Sequence, residues 1–289
     1  NMCGIGAIFS KDGEAIKQTD LNLMINLLHH RGPDGNGSVM LNHHKLGLAH
    51  TRLAINDQAH GHQPMYEDEA ELTLSYNGEI YDCDHLRSRL RSRGFQFKTR
   101  TDTEVILKLY QAFGTDMFKH MNGEFAFLLW DNKNKKLIAG RDRFGIKPLL
   151  FYQSETEIAF ASEAKALIAL NRLKHQASSS YLLSSFMGNF IGQESLFDGI
   201  QPVKPGHFLV IDDQSIKEVC YWQSNFTQKT PLSFNEAKEE LNYRITQAVE
   251  RRLVADTEVG SYLSGGIDST IITSIAAQKK PNLKAFSVG

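Results

Sequence analysis

The sequence predicts an α+β protein: a layered domain of short strands with helices between them, followed by the first β–α–β unit of a parallel-sheet domain. Three observations carry this prediction. Strand-length apolar runs recur from Cys3 to Ala161 without the regular strand–helix alternation of a parallel α/β fold. Helical periodicity appears only between groups of those runs. Beyond Pro231 the character changes, to one long amphipathic segment and then a glycine-rich loop between two apolar runs.

Residues 3–9 predict a short buried strand, with Gly4 and Gly6 marking close packing. Residues 21–30 place Leu21, Met24, Ile25 and Leu28 at helical spacing, and the Gly and Pro of residues 30–35 make a loop. Residues 46–55 and 72–76 are strand-like, and Asn77-Gly78 has the composition of a hairpin turn. Residues 84–93 form a basic amphipathic helix closed by Gly94, its arginines 87, 89, 91 and 93 expected on a solvated face. Residues 103–113 form a second helix, with Asp102 beside its start. Strands follow at 125–130, 136–141, 149–152 and 157–161, then a short helix at 162–170. Residues 202–205 and 223–231 are linker candidates. A long helix at 233–254, a strand at 259–263, a helix at 270–277 and a strand at 283–288 complete one β–loop–α–β unit.

The chain has 289 residues, enough for one large or two ordinary domains. Its 32 basic and 33 acidic residues nearly cancel, which leaves no electrostatic reason to expect nucleic acid or an anionic membrane as partner. Cys3, Cys83 and Cys220 are odd in number and form no CxxC pair, so a disulfide framework is not expected and a reducing cytoplasm is. No apolar stretch approaches the roughly 18 residues of a membrane span, and a signal peptide is not expected, since no positively charged, then apolar segment opens the sequence. The His29-His30, His43-His44 and His60-Gly-His62 groups lack partners at ligand spacing and are expected on the surface or in loops. Met2 has the character of a native start and Asn1 of an added residue, so Cys3 would lead the chain once the initiator is removed.

A free cysteine is most often an inert core residue. At a mature N-terminus it has an α-amine beside its thiol, with a reference pKa of about 7.7–8.0, which can act as the general base. The surrounding motifs favour that use. They are Cys3-Gly-Ile-Gly, His30-Arg-Gly-Pro-Asp34, Arg52-Leu-Ala-Ile55, Asn77-Gly-Glu-Ile-Tyr81, Thr101-Asp-Thr-Glu104, Asn122-Gly-Glu-Phe-Ala126 and Gly140-Arg-Asp-Arg-Phe-Gly-Ile-Lys-Pro148. In this order they resemble the class II, N-terminal-nucleophile glutamine amidotransferases, from Cys3 to about Lys165.

The resemblance implies an α-β-β-α sandwich of two antiparallel sheets. It implies that Cys3 attacks the glutamine carboxamide to form a glutamyl thioester, with the Asn77 amide and the Gly78 N–H as oxyanion hole. Arg52 would hold the α-carboxylate, Glu79 and Asp102 the α-ammonium, and Leu53 and Ile55 would complete the glutamine site. Arg31 would shape the loop over the bound glutamine. Read without the resemblance, Arg52 and Glu79 are a solvated ion pair, and Asp102 is a helix N-terminal residue.

Ser264-Gly-Gly-Ile-Asp-Ser269, between a strand and a helix, is an anion-binding loop without the lysine of a Walker motif. It resembles the pyrophosphate loop of ATP-pyrophosphatase-type enzymes. There Ser264, Gly265, Gly266 and Ser269 would cradle pyrophosphate, Asp268 would help hold Mg²⁺, and Leu263 and Val288 would flank the adenosine of ATP. The two halves together resemble the glutamine-hydrolysing asparagine synthetases. That resemblance implies a glutaminase domain over 3–222, a linker over 223–232 and the start of a synthetase domain over 233–289. It also implies ammonia passing to an ATP-activated carboxylate, with aspartate as acceptor, and it admits a homodimer. The synthetase part is expected to be too short to make asparagine by itself. Other carboxylate acceptors (a sugar acid or a peptide), a stand-alone glutaminase and a non-catalytic binding module are the alternatives.

Overall fold

The computed structural model describes residues 2–54, 60–170, 176–188, 195–227, 229–255 and 258–288. The chain divides into two compact units, one running to Gln223 and the other starting at Ser224.

The first unit is built on two six-stranded sheets in which every pairing is antiparallel. One sheet has β1 (Gly4–Ser10) between β9 (Glu157–Ala161) and β3 (Leu46–Arg52). β2 (Gly35–Leu41) lies outside β3, while β8 (Leu150–Gln153) and β10 (Ile200–Pro202) extend the other side. The second sheet runs in the order β12 (Ile216–Cys220), β11 (His207–Ile211), β7 (Lys136–Arg141), β6 (Gly123–Asp131), β5 (Leu72–Ile80) and β4 (Met65–Glu67).

The period-two alternation of a strand explains the layers. Ile5, Ala7 and Phe9 of β1 and Leu46 and Leu48 of β3 meet Ala126, Leu128 and Trp130 of β6 between the sheets. The intervening residues face helices. Ile8 and Ala49 pack under α1 (Gln18–Leu28), together with Ala166 and Leu167 of α4 (Ala164–Ile168). Phe125, Phe127 and Leu129 pack under α2 (Cys83–Arg91) and α3 (Asp102–Phe113). The result is the α-β-β-α sandwich, and strands buried on both faces explain why its apolar runs are continuous.

Three expectations are corrected. Asn77-Gly78 is not a hairpin turn: both residues lie inside β5, opposite Ala126 and Phe125 of β6. Pairing along the whole strand overrides the local turn signal. Residues 202–205 are not an inter-domain linker, since they join β10 to β11 within the first unit. Arg87 does not point to solvent: it is buried, and its guanidinium donates to the Arg100 and Thr101 carbonyls ahead of α3.

The second unit holds α6 (Phe234–Arg252), started by a Ser233–Glu236 capping box. It also holds β13 (Gly260–Tyr262), α7 (Ile267–Lys279) and β14 (Lys284–Phe286), whose strands pair in parallel. Its buried apolar set is small: Val249, Leu253 and Ala276.

Candidate active site

β1 delivers Cys3 at its leading end, where three elements fasten the chain. The Gly4 N–H donates to Thr51 Oγ1 at 3.1 Å, and the Ile5 N–H donates to Ser162 Oγ at 3.0 Å. Gly4 is required by closeness: an added Cβ would lie 2.8 Å from Leu28 Cβ and 2.5 Å from Thr51 Oγ1. The Cys3 carbonyl accepts from Arg31 Nε at 3.0 Å. Arg31 is buried and in turn donates through Nη1 to Glu163 Oε1 at 2.8 Å. Glu163 also meets His30 Nε2 at 3.0 Å and Lys165 Nζ at 3.1 Å. Hydrogen bonds from these three groups outweigh desolvation and pull its carboxyl down to about 2.

The thiol is held by one backbone unit. The Leu53 N–H donates to Cys3 Sγ at 3.3 Å, and the thiol donates to the Leu53 carbonyl at 3.7 Å. Burial raises the thiol pKa, and the charges of Asp102, which raises it further, and of Arg52 and Arg31, which oppose that, also reach it. A half-buried thiol whose pKa is raised needs a base before it can attack.

β5 supplies the facing wall. Ser75 donates from Oγ to the Ala49 carbonyl across the sandwich at 3.0 Å, so Asn77, two residues on, faces the same side. Asn77 is buried, and its Nδ2 has no hydrogen-bond partner among the described residues. An unpaired buried donor costs about 1–3 kcal/mol, an expense that marks functional positions. Gly78 packs against β6 so closely that a Cβ would overlap the Glu124 carbonyl oxygen.

On the other face of β5, Tyr76 donates its hydroxyl to Asp102 Oδ2 at 2.7 Å, and the Ile80 N–H donates to the same oxygen at 3.1 Å. Burial pushes the Asp102 carboxyl up against these hydrogen bonds. Asp102 is the first residue of α3, which Thr101 caps by accepting the Glu104 N–H at 3.2 Å. Glu79 is half-buried on β5. Arg52 is buried rather than solvated, and with Asp34, Ala54, His62 and Gln63 it lines an open pocket of about 500 Å³. Of the residues named from sequence, Cys3, Arg52, Leu53, Asn77, Gly78, Glu79 and Asp102 thus lie on β1, β3 and its end, β5 and the start of α3; Ile55 lies outside the described residues. Arg31 braces the Cys3 main chain.

Sequence reasoning missed Glu163, Thr51, Ser162, Tyr76, Gln63 and His50. Tyr76 and Thr51 adjoin Asn77 and Arg52 in sequence, a signal that was available. Glu163 offers none, because its Arg31 partner is 132 residues away.

In the second unit, Ser264 and Ser269 turn their hydroxyls together at 3.0 Å, and the Ser264 N–H donates to Ser269 Oγ at 3.2 Å. Gly265 takes a φ of +84° with open space around it, and Gly266 starts α7 without a side-chain cap. Uncapped first-turn N–H groups beside exposed glycines suit a phosphate anion, so the residues present fit the expected group. Asp268 stands in the first turn of α7 as a hard oxygen donor. Leu263 and Val288 follow β13 and β14, where the Leu263 N–H bonds to the Phe286 carbonyl at 2.8 Å. Among the described residues no group of three His, Cys, Asp or Glu could hold a metal by itself.

A double antiparallel sandwich flanked by helices, with a cysteine heading an inner strand, is the architecture of N-terminal-nucleophile hydrolases. Glutamine phosphoribosylpyrophosphate amidotransferase from Bacillus subtilis, solved with ADP and GMP, shares the fold at TM-score 0.59 and 17% identity, covering 99% of this chain and 65% of its own. The chain belongs to the glutamine amidotransferase domain family, which it matches over residues 2–222, and residues 240–289 match the asparagine synthase family. It is 36% identical over 297 residues to asparagine synthetase [glutamine-hydrolyzing] 1 of Bacillus subtilis, covering 100% of this chain and 46% of that one. It is 33% identical over 291 residues to amidase chry2 of Gibberella zeae, covering 96% of this chain and 43% of that one. The chain therefore spans less than half the length of these relatives. Among the described residues, no helix is long and apolar enough to cross a membrane.

Proposed function

We propose that the first unit hydrolyses glutamine through Cys3 and supplies ammonia to an ATP-dependent amidation of a carboxylate, with aspartate as acceptor and asparagine as product. The single observation that carries this reading is the buried Asn77 amide on the wall of β5, whose Nδ2 has no hydrogen-bond partner among the described residues. The Cys3 α-amine, free when the chain starts there, takes the thiol proton. Sulfur adds to the carboxamide carbon, and Asn77 and Gly78 take the developing negative oxygen. Ammonia leaves with the proton, and water releases glutamate from the thioester by the same route in reverse. Arg52 pairs with the α-carboxylate, while Glu79 and Asp102 pair with the α-ammonium.

Residues 3–222 form the glutaminase, 223–232 the linker and 233–289 the opening of the amidating domain. Match to the asparagine synthase family and the uncapped loop at α7 support ATP there, with Ser264, Gly265, Gly266 and Ser269 around its phosphates and Leu263 and Val288 beside its adenosine. Mg²⁺, held in part by Asp268, would supply charge neutralisation to those phosphates. The reading places the protein in the cytoplasm, where free cysteines persist, and admits a homodimer. Likeness to a relative named as an amidase favours a second reading, in which the chain is a stand-alone glutaminase. Incubating the chain starting at Cys3 with glutamine is expected to release ammonia, whereas the form retaining residues 1–2 is expected to be nearly inactive. Equal rates would remove the α-amine from the mechanism.

A further inference from the structure

β4 accompanies β5 only from Leu72 to Leu74, through its pairing with Met65, Tyr66 and Glu67. Beyond that, the same edge of β5 has no strand beside it among the described residues, and its main-chain groups would stand open. Alternation puts Tyr76, Gly78 and Ile80 on that edge, away from β6. Two of the three are covered by side chains. The Tyr76 N–H donates to Gln63 Oε1 at 2.7 Å, and the Tyr76 carbonyl accepts from His50 Nε2 at 3.1 Å. The Ile80 N–H donates to Asp102, as described above. Gly78, between them, keeps its N–H uncovered by any described side chain.

His50 reaches this carbonyl from β3 in the opposite sheet. It is fully buried, burial holds it neutral with a pKa of about 4, and its Nδ1 has no partner among the described residues. The one ring proton therefore sits on Nε2, where it bonds Tyr76. A buried imidazole with half its bonding capacity unused is an expensive way to fill a core, which argues that the bond it does make matters. Gln63 comes from the segment before β4 and also approaches Thr103 of α3 at 3.5 Å.

We propose that Gln63 and His50 are positioning residues for the glutaminase: by saturating both main-chain groups of Tyr76 they hold the next two residues, Asn77 and Gly78, with their donors toward the reacting oxygen. This rests on the reading of Asn77 and Gly78 as the oxyanion hole. Donor placement acts on the transition state more than on bound glutamine, so loss of either contact lowers kcat and leaves KM nearly unchanged. Gln63 also lines the pocket beside Arg52, and a direct contact with glutamine there would instead raise KM.

The test uses the full chain starting at Cys3 and measures ammonia release against glutamine concentration. Gln63→Met, which keeps the volume and removes the acceptor, is expected to lower kcat about tenfold or more with KM changed less than about twofold. Gln63→Glu, which keeps an acceptor oxygen, is expected to restore most of kcat. His50→Leu removes the contact from the carbonyl side and is expected to show the same split, so either soluble variant suffices. An unchanged kcat, or a rise in KM alone, overturns the proposal. Cys3→Ala separates the two levels: if it is inactive while Gln63→Met keeps its kcat, the glutaminase reading stands and the positioning role falls. Turnover that survives Cys3→Ala removes the glutaminase reading itself.

Discussion

At the scale of single residues, the chemistry is set by which groups lose water. Burial raises the pKa of the Cys3 thiol and leaves Asn77 Nδ2 without a partner among the described residues, so the first needs a base and the second can bind a new oxygen. Asn77→Ala is expected to lower kcat for glutamine hydrolysis by about 10²–10³, with a far smaller effect on KM; steady-state ammonia release measures both. Glu163 is the counterexample, a carboxylate that keeps its charge because Arg31, Lys165 and His30 converge on it. Its pKa falls from 4.5 unfolded to about 2 folded, so its stabilising contribution is complete above about 4.5 and is lost as pH falls through about 2. Glu163→Gln is therefore expected to lower Tm near neutrality, and the gap from the wild type is expected to close between about pH 4.5 and about pH 2. A gap that widened toward acid would contradict the Arg31–Glu163 brace. None of this wiring was visible in sequence, since the partners sit on strands and helices far apart along the chain.

Among elements, β5 is the one that turns sequence into a site. Its odd positions face the sandwich and its even positions face α3 or lie along the bare edge, so four consecutive residues serve different ends. Tyr76 meets Asp102, Asn77 faces inward, Gly78 lies against β6 and Glu79 is half-buried. Gly78→Ala is expected to force β5 from β6 and to destabilise the fold by about 1–3 kcal/mol, read as a lower denaturant midpoint. Retained stability and activity together would show that the Glu124 carbonyl can shift. Long apolar elements were legible from periodicity, among them α1, α3 and β6. α5 (Ser179–Phe186), β11 and β12 were not; α5 buries no residue and β12 is largely exposed. The Asn-Gly turn signal failed because nine residues of pairing with β6 outweigh one dipeptide's preference.

At the scale of the whole molecule, the two units differ in how much core they own. The first encloses three large apolar clusters, while among its described residues the second buries Val249, Leu253 and Ala276 as its core and leaves Tyr262, Ile267 and Val288 exposed. The glutaminase is thus expected to be self-sufficient. A single proteolytic cut within residues 224–227 is expected to leave its kcat unchanged, as measured on nicked and intact chain side by side; a loss of activity would mean that the first unit depends on the second.

The sequence by itself determined the inventory of chemical groups and their order: a cysteine near the start, an arginine at the end of the β3 run, Asn-Gly-Glu, an aspartate at a helix start and a glycine loop before another helix. Local patterns specify these because periodicity, capping and glycine placement are short-range properties. Only the tertiary structure decided that Asn77-Gly78 is strand rather than turn, that Glu163 braces Cys3 through Arg31, and that Gln63 and His50 cover the main chain of Tyr76 at the edge of β5. Those facts depend on strand register and on which groups are buried together, and both are set when distant segments pack.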